Sequence, residues 1–455
     1  MRKGSIKFAA LTLLSVSLFT AGCGSSSNSE GAAPSGSASP SGSAAPSSSA
    51  SQKPSGDKKP VTIKIWGLDG AETAVYNEIL PEIDAKYDEF NLEFAFFPNE
   101  EFYNKLKMSP VVGDTPDIVI MDATELSYYI EAGVMAPLDD YMTDEIKSDM
   151  LPSIINEGTY KGKLYATAQF DSGMSLWGNK SMLEAAGVRI PTSYKEAWDR
   201  AEFEDALAKL KQSGVKYPIY IRQNSPKTLY YTYTPIVKSF GGDMLNRETG
   251  LTDGKLNSKE TIAAFDYISW MIKNEYLNPV ADYEDGFYTR KENALALIGH
   301  WKAKEHFETL GDDAILLPIP DFGHGVYTGS GSVIWGITTA AQKKNVADES
   351  WKVLNEAISK EYIAKMTNVN GGIPARISVL NENENYKEGG RLYLYREQLE
   401  AGIGYLRPQT PAHNEIYNVM KGVVANLLLG SDAAEELTKA SKDLDEVITE
   451  NGWNK

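Results

Sequence analysis

Between Pro60 and Gly133 the chain alternates between two hydrophobic periods, and that alternation limits the possible folds more than any other feature. Val61-Thr62-Ile63-Lys64-Ile65-Trp66 places apolar residues at every second position, the mark of a strand. Gly67-Leu68-Asp69-Gly70 reads as a loop. From Ala71 to Tyr87, the apolar residues Val75, Ile79, Ile83 and Tyr87 recur at helical spacing. A second strand, Leu92 to Phe97, precedes a helix from Glu101 to Met108. Thr115 to Asp122 contains an apolar run of the kind buried in parallel sheets. Leu126, Tyr129 and Ile130 continue it as a helix that stops at Gly133. Repeated strand-then-helix order predicts an open α/β sheet. Trp66, Asp69 and Asp122 stand at strand ends, and the carboxyl edge is where open sheets bind ligands.

Gly162 to Lys180 reads as an extended segment, β-prone at Tyr165. It delivers Asp171 and, six residues on, Trp177. An acid followed by an aromatic suits a polar ligand through hydrogen bonding and stacking. The same pattern also describes a strand with one solvated Asp and one buried Trp. Ser181 to Gly187 is a short helix closed by a C′ glycine. Thr192 is expected to cap a helix through Lys211, and Ser258 a helix from Lys259 to Lys273. Between them lie a short strand, Tyr217 to Ile221, and a helix from Thr228 to Phe240 stopped by Gly241-Gly242. Ala294 to Gly299 is a strand with His300 and Trp301 at its end. Ala314 to Leu317 and the Trp335-containing Ser332 to Thr338 are strands, and the tail from about Asp348 is mostly helical. Trp198, Trp270 and Trp351 fall on helices at apolar spacing and read as core. This order of elements fits two lobes that the chain visits more than once.

Ahead of this body, Arg2, Lys3 and Lys7 precede an uncharged apolar run from Phe8 to Gly22. The run is too short for a transmembrane helix and fits a secretory signal peptide over residues 1–22. Thr20-Ala21-Gly22-Cys23 resembles a bacterial lipobox, with Thr20 where the commonest pattern has Leu. Cys23 is the only cysteine, so no internal disulfide framework is possible, and a lipid would account for it. The Ser/Gly/Pro-rich remainder of residues 23–59 cannot bury enough surface to offset its ordering entropy. As a random coil of about 36 residues it reaches roughly 30–36 Å. By length, the body is two domains or one large one. Of 45 basic and 62 acidic residues, six and two fall before Pro60, so the body carries −21. That argues against nucleic acid and polyanions as partners. The 8 Trp and 25 Tyr are many for such a chain, and stacking on sugar rings is one use for them.

Motifs for catalysis are missing. His300, His306, His324 and His413 have no His or Cys partner at zinc spacing. There is no Gly-x-Ser-x-Gly elbow, P-loop or dinucleotide glycine signature. Asp282, Glu284 and Asp285 cluster without the calcium-loop pattern and read as a solvated loop. No spacing singles out a carboxylate pair for glycoside cleavage. We therefore expect no catalytic residues, no metal and no cofactor. A surface-anchored polysaccharide-degrading enzyme and a peptide or polyamine binder remain as alternatives.

An ordered set of segments resembles the extracellular solute-binding proteins (family 1) of bacterial ABC importers, the class that includes maltodextrin-binding protein. These are Ile63-Lys64-Ile65-Trp66, Asp114 to Val119, Glu131 to Asp139, Gly162 to Ala166, Asn179 to Gly187, and Gly371 to Arg376. A cysteine followed by a Ser/Gly tether is how Gram-positive members look. The resemblance implies an α/β, type II periplasmic-binding-protein-like fold. Each of its two lobes is an open β-sheet flanked by helices, with a ligand cleft at the hinge. We expect residues 60–170 plus 333–385 in the N-terminal lobe and 171–332 plus 386–455 in the C-terminal lobe. Crossings are expected near Asp171, near Gly329 to Gly336, and soon after Arg376. The implied ligand is a carbohydrate, an oligosaccharide, passed to membrane permease subunits by a monomer lipid-anchored on the extracellular face. Asp171 matches the family's ligand acid at the first crossing, and Trp177 its strand aromatic. Trp301 resembles the stacking Trp after the apolar strand, and Tyr417 the C-terminal stacking position. Together with Trp66, Asp69, Asp122 and Trp335 these form the expected ligand set. His300 stands as a rim donor or a surface residue, and Arg376 is expected to order the loop after Pro374.

Overall fold

The computed structural model describes residues 60–222, 226–278 and 285–454. Cys23, the tether, Asp282 and Glu284 lie outside the described residues. The first sheet runs in the order Phe90–Phe97, Val61–Leu68, Ile118–Asp122, Val333–Ile337, Ala166–Ala168. Its first three strands are parallel, and Val333–Ile337 is antiparallel to both its neighbours. Ile63 and Ile65 are buried between the exposed Thr62 and the half-buried Lys64 and Trp66. Ile118, Val119, Ile120 and Met121 are all buried, because helices cover both faces at the sheet's centre.

The second sheet runs Ala314–Leu317, Met174–Asn179, Leu295–Gly299, Ile219–Ile221. Its side chains divide by the two-residue period of a strand. Leu176, Leu295, Leu297 and Leu317 join a core that also holds Leu207, Ile268, Met420 and Leu444 from four helices. Trp177, Ala296, Ile298 and Ala314 face the other way and are continuous with the core around the first sheet. The fold is thus a two-lobed α/β arrangement, each sheet flanked by helices. Among the described residues, no helix is long and apolar enough to cross a membrane.

Three segments lie side by side where the chain passes between sheets. Phe170–Asp171 pairs antiparallel with Ile373–Pro374. The Ser172 backbone N–H donates to the Gly331 carbonyl at 2.6 Å. Ser258 caps Lys259–Lys273 by accepting from the Thr261 N–H. Thr192 does not cap the helix that follows it. Its N–H and hydroxyl both donate to Glu196. Ala197 is extended, with ψ 141°. The helix starts instead at Arg200, where Asp199 and Glu202 form a reciprocal capping box that satisfies two end donors at once.

Candidate functional site

A cavity of about 450 Å³ lies between the lobes, within the usual range for small-molecule sites. Gly70, Ala71, Glu72 and Asp122 contribute from loops at the carboxyl ends of first-sheet strands. Phe170, Ser172 and Gly331 to Val333 contribute from the crossing segments. Arg222, Tyr231, His300, Trp301, Lys302, Glu305 and Arg407 complete the lining. One side is aromatic. Trp301 and Tyr231 have ring centroids 6.0 Å apart, and His300 sits 5.1 Å from Phe170. The Trp301 ring lies on the backbone of Gly299, where a Cβ would come within 2.0 Å of it. Only glycine permits that close approach.

Arg407 ties the two lobes at this cavity. It is buried, its guanidinium sits 4.6 Å from the Tyr231 ring centroid, and Nη1 donates to the Tyr417 hydroxyl at 2.9 Å. Nη2 lies 3.5 Å from Asp122 Oδ1. Asp122 also accepts from the N–H and hydroxyl of Thr124. His300 Nδ1 is 3.0 Å from Ser172 Oγ, and burial lowers its pKa to about 3, so the ring is neutral. Burial raises the Glu72 carboxyl, against a hydrogen bond from Asn370. Arg407 Nε, Trp301 Nε1 and His300 Nε2 are buried without a hydrogen-bond partner among the described residues. Buried polar groups are as a rule paired, so three such nitrogens around one cavity mark unspent hydrogen-bonding capacity.

Behind the cavity two carboxylates hold the second crossing. Asp171 accepts from the Gly331 N–H at 3.1 Å and from the Ser330 hydroxyl at 3.2 Å. Glu157 accepts from the Ser332 N–H at 3.1 Å and from the Ser332 hydroxyl. Burial, with the Asp171 charge beside it, pushes Glu157 up to about 8. A Cβ on Gly331 would press against Arg407 Nη2 and Glu157 Oε1, at 3.1 and 3.3 Å.

Of the residues expected to bind ligand, the structure brings Asp122 and Trp301 to the cavity lining. Tyr417 is joined to it through Arg407 but is itself buried and does not line it. The others sit elsewhere, each for a physical reason. Trp177 and Trp335 are fully buried, because both faces of each sheet carry packed side chains. Trp177 packs edge-on to His306 and Phe307, and Trp335 edge-on to Tyr76. Asp171 is 2% exposed and its oxygens are committed to the crossing segment. Trp66 packs against Phe97, and Asp69 is exposed one residue before the lining begins. Arg376 Nε donates to the Ile358 carbonyl and Nη1 pairs with Asp149, which holds the loop after Pro374. Glu72, Tyr231 and Arg407 were missed. Glu72 shares the strand-end loop with Asp69, and Tyr231 lies in a tyrosine-rich helix. Arg407 precedes Pro408, where the chain is biased away from helix.

The chain is similar to known proteins along most of its length. A maltotriose-binding protein of Pyrococcus abyssi is 23% identical over 374 residues, spanning 80% of this chain and 77% of that one. The GacH receptor of Streptomyces glaucescens, solved unliganded and with acarbose, superposes with a TM-score of 0.70 at 20% identity. That match covers 86% of this chain and 99% of the receptor. UgpB of Mycobacterium tuberculosis, solved with glycerophosphocholine, gives a TM-score of 0.73 at 18% identity, covering 87% and 99%. These likenesses establish the two-lobed fold. Residues 70–364, more than half of the chain, match the family model described as bacterial extracellular solute-binding protein, and the chain belongs to that family.

Proposed function

We propose that this protein captures a short oligosaccharide in the cavity between its lobes and hands it to the permease of an ABC importer. The observation that carries this reading is the cavity wall, where the Trp301 and Tyr231 rings stand beside charged and polar groups. Aromatic rings stack on the apolar faces of sugars, and carboxylates and guanidinium groups hydrogen-bond their hydroxyls. The maltotriose named for the Pyrococcus relative and the acarbose bound by the Streptomyces receptor support a carbohydrate. Glu72, Asp122 and Glu305 are matched in the lining by Arg222, Lys302 and Arg407. The cavity therefore does not concentrate the body's negative charge, which weighs against a polyamine. The family is one of binding proteins, and a binding role separates cleanly from an enzymatic one. Incubation with oligosaccharides gives saturable heat of binding and no new reducing ends. Release of reducing ends would replace this reading with hydrolysis.

We assign residues 60–170 plus 333–385 to one lobe and 171–332 plus 386–455 to the other. The positions of the two sheets support this division. We further propose that Cys23 carries lipid and that the following tether holds the body outside the membrane of a Gram-positive-type cell. The Thr20-Ala21-Gly22-Cys23 segment supports this. Cys23→Ala moves the protein from the membrane fraction to the medium. Unchanged membrane retention of that variant would remove the anchor.

A further inference from the structure

A second cavity, of about 790 Å³, lies beside the first and shares no lining residue with it. One layer of side chains separates them. Asp122 and Arg407 line the first cavity, while Tyr103 and Tyr417 line the second. The Tyr103 hydroxyl accepts from the Asp122 backbone N–H at 3.2 Å. The Tyr417 hydroxyl accepts from Arg407 and lies 3.1 Å from Thr124 Oγ1. Thus an ion pair faces one cavity, and two tyrosines back it from the other.

We propose that this layer is an end wall that limits the ligand to a short oligosaccharide whose terminal residue abuts Arg407. The proposal rests on the carbohydrate reading above. Asp122, Tyr103 and Thr124 belong to the first sheet and the helices beside it, and Arg407 and Tyr417 to the C-terminal part of the chain that packs on the second sheet. The wall is therefore assembled from both sides of the cleft. A longer chain could enter the second cavity only by displacing Arg407 from Asp122 and Tyr417. Displacement would take the buried Arg407 guanidinium away from Asp122 and the Tyr417 hydroxyl, so the wall discriminates against length by penalising it. The end of a short chain incurs no such penalty. Its terminal hydroxyl meets the Arg407 guanidinium, which lines the first cavity.

The test is calorimetric titration of the wild type with two graded ladders, maltose to maltohexaose and cellobiose to cellohexaose. In the ladder that binds, affinity peaks at a short member and falls roughly tenfold or more by the hexamer. Tyr417→Ala, which removes the backing, narrows that ratio by roughly tenfold. Thr124→Ala is the milder variant should Tyr417→Ala fold poorly. Affinity that stays level or climbs through the hexamer in the wild type overturns the wall and leaves the carbohydrate reading standing. Equal loss across all lengths in the variants also overturns it. Absence of binding to every member of both ladders overturns the carbohydrate reading, and the wall with it.

Discussion

Trp301→Ala raises the dissociation constant for the bound sugar roughly 30- to 1000-fold, the loss of about 2–4 kcal/mol expected for a central aromatic anchor. Three observations support that role for Trp301. Its ring lines the cavity, it is only half-buried, and the absence of a side chain at Gly299 lets the ring lie on the backbone there. Trp335 supplies the contrast. It is fully buried against Tyr76 in the first sheet, so Trp335→Ala leaves a cavity and destabilises the fold by about 3–5 kcal/mol. Calorimetry and thermal melts on both variants separate the two roles. Trp301→Ala loses affinity and keeps most of its melting temperature, whereas Trp335→Ala loses melting temperature. Unchanged sugar affinity in a well-folded Trp301→Ala protein would remove Trp301 from the site.

The same two tryptophans show what could be read from the residues alone. Both follow from local patterns as strand or strand-end residues, and the strands are where the alternation of Ile63 and Ile65 and the run from Ile118 to Met121 put them. Periodicity could not tell which strand face meets a ligand. Helices cover both faces of these sheets, so Trp177 and Trp335 carry no apolar–polar contrast to mark their side. Sequence position also suggested Asp171 as a ligand acid, yet its use was decided by residue 331, which only topology brings beside it. Arg407 meets Asp122 across 285 residues, and Glu157 meets Ser332 across 175. Such pairs are products of the two-lobed path. The reading therefore found the element types and the two-lobed α/β fold, and found the cavity only where a strand end coincides with it, as at Asp122 and Trp301. The capping error at Thr192 has the same origin in miniature. Only Thr192 is read as a cap there, whereas Asp199, seven residues on and followed three residues later by Glu202, was the start that formed.

Glu157→Gln removes a fall in stability with rising pH that the wild type shows most clearly between pH 6.5 and 8. Glu157 is 3% exposed, and burial beside Asp171 raises its pKa from the ordinary 4.5 to about 8. Between those values the folded state holds a proton that the unfolded state has released. Stability is then fully present below pH 4.5 and is lost as pH rises through 8. At 1.36 kcal/mol per pKa unit the loss is on the order of 3–5 kcal/mol. The buried histidines act with the opposite sign. His300 and His306 are lowered to about 3 by burial, so they add stability as pH rises from 3 to 6.5 and nothing beyond. The window above pH 6.5 is thus free of their contribution. Glutamine keeps the shape and the acceptor for the Ser332 N–H and cannot ionise, so it stands in for the protonated acid. Denaturant titrations of both proteins from pH 5 to 9 give curves that lie closest at pH 5 and separate steadily up to about pH 8, with Glu157→Gln the more stable at pH 9. Parallel curves across that range would mean that Glu157 ionises in the folded protein as it does in the unfolded chain. In that case the clamp on residues 330–332 is held by two carboxylates rather than by one carboxylate and one acid.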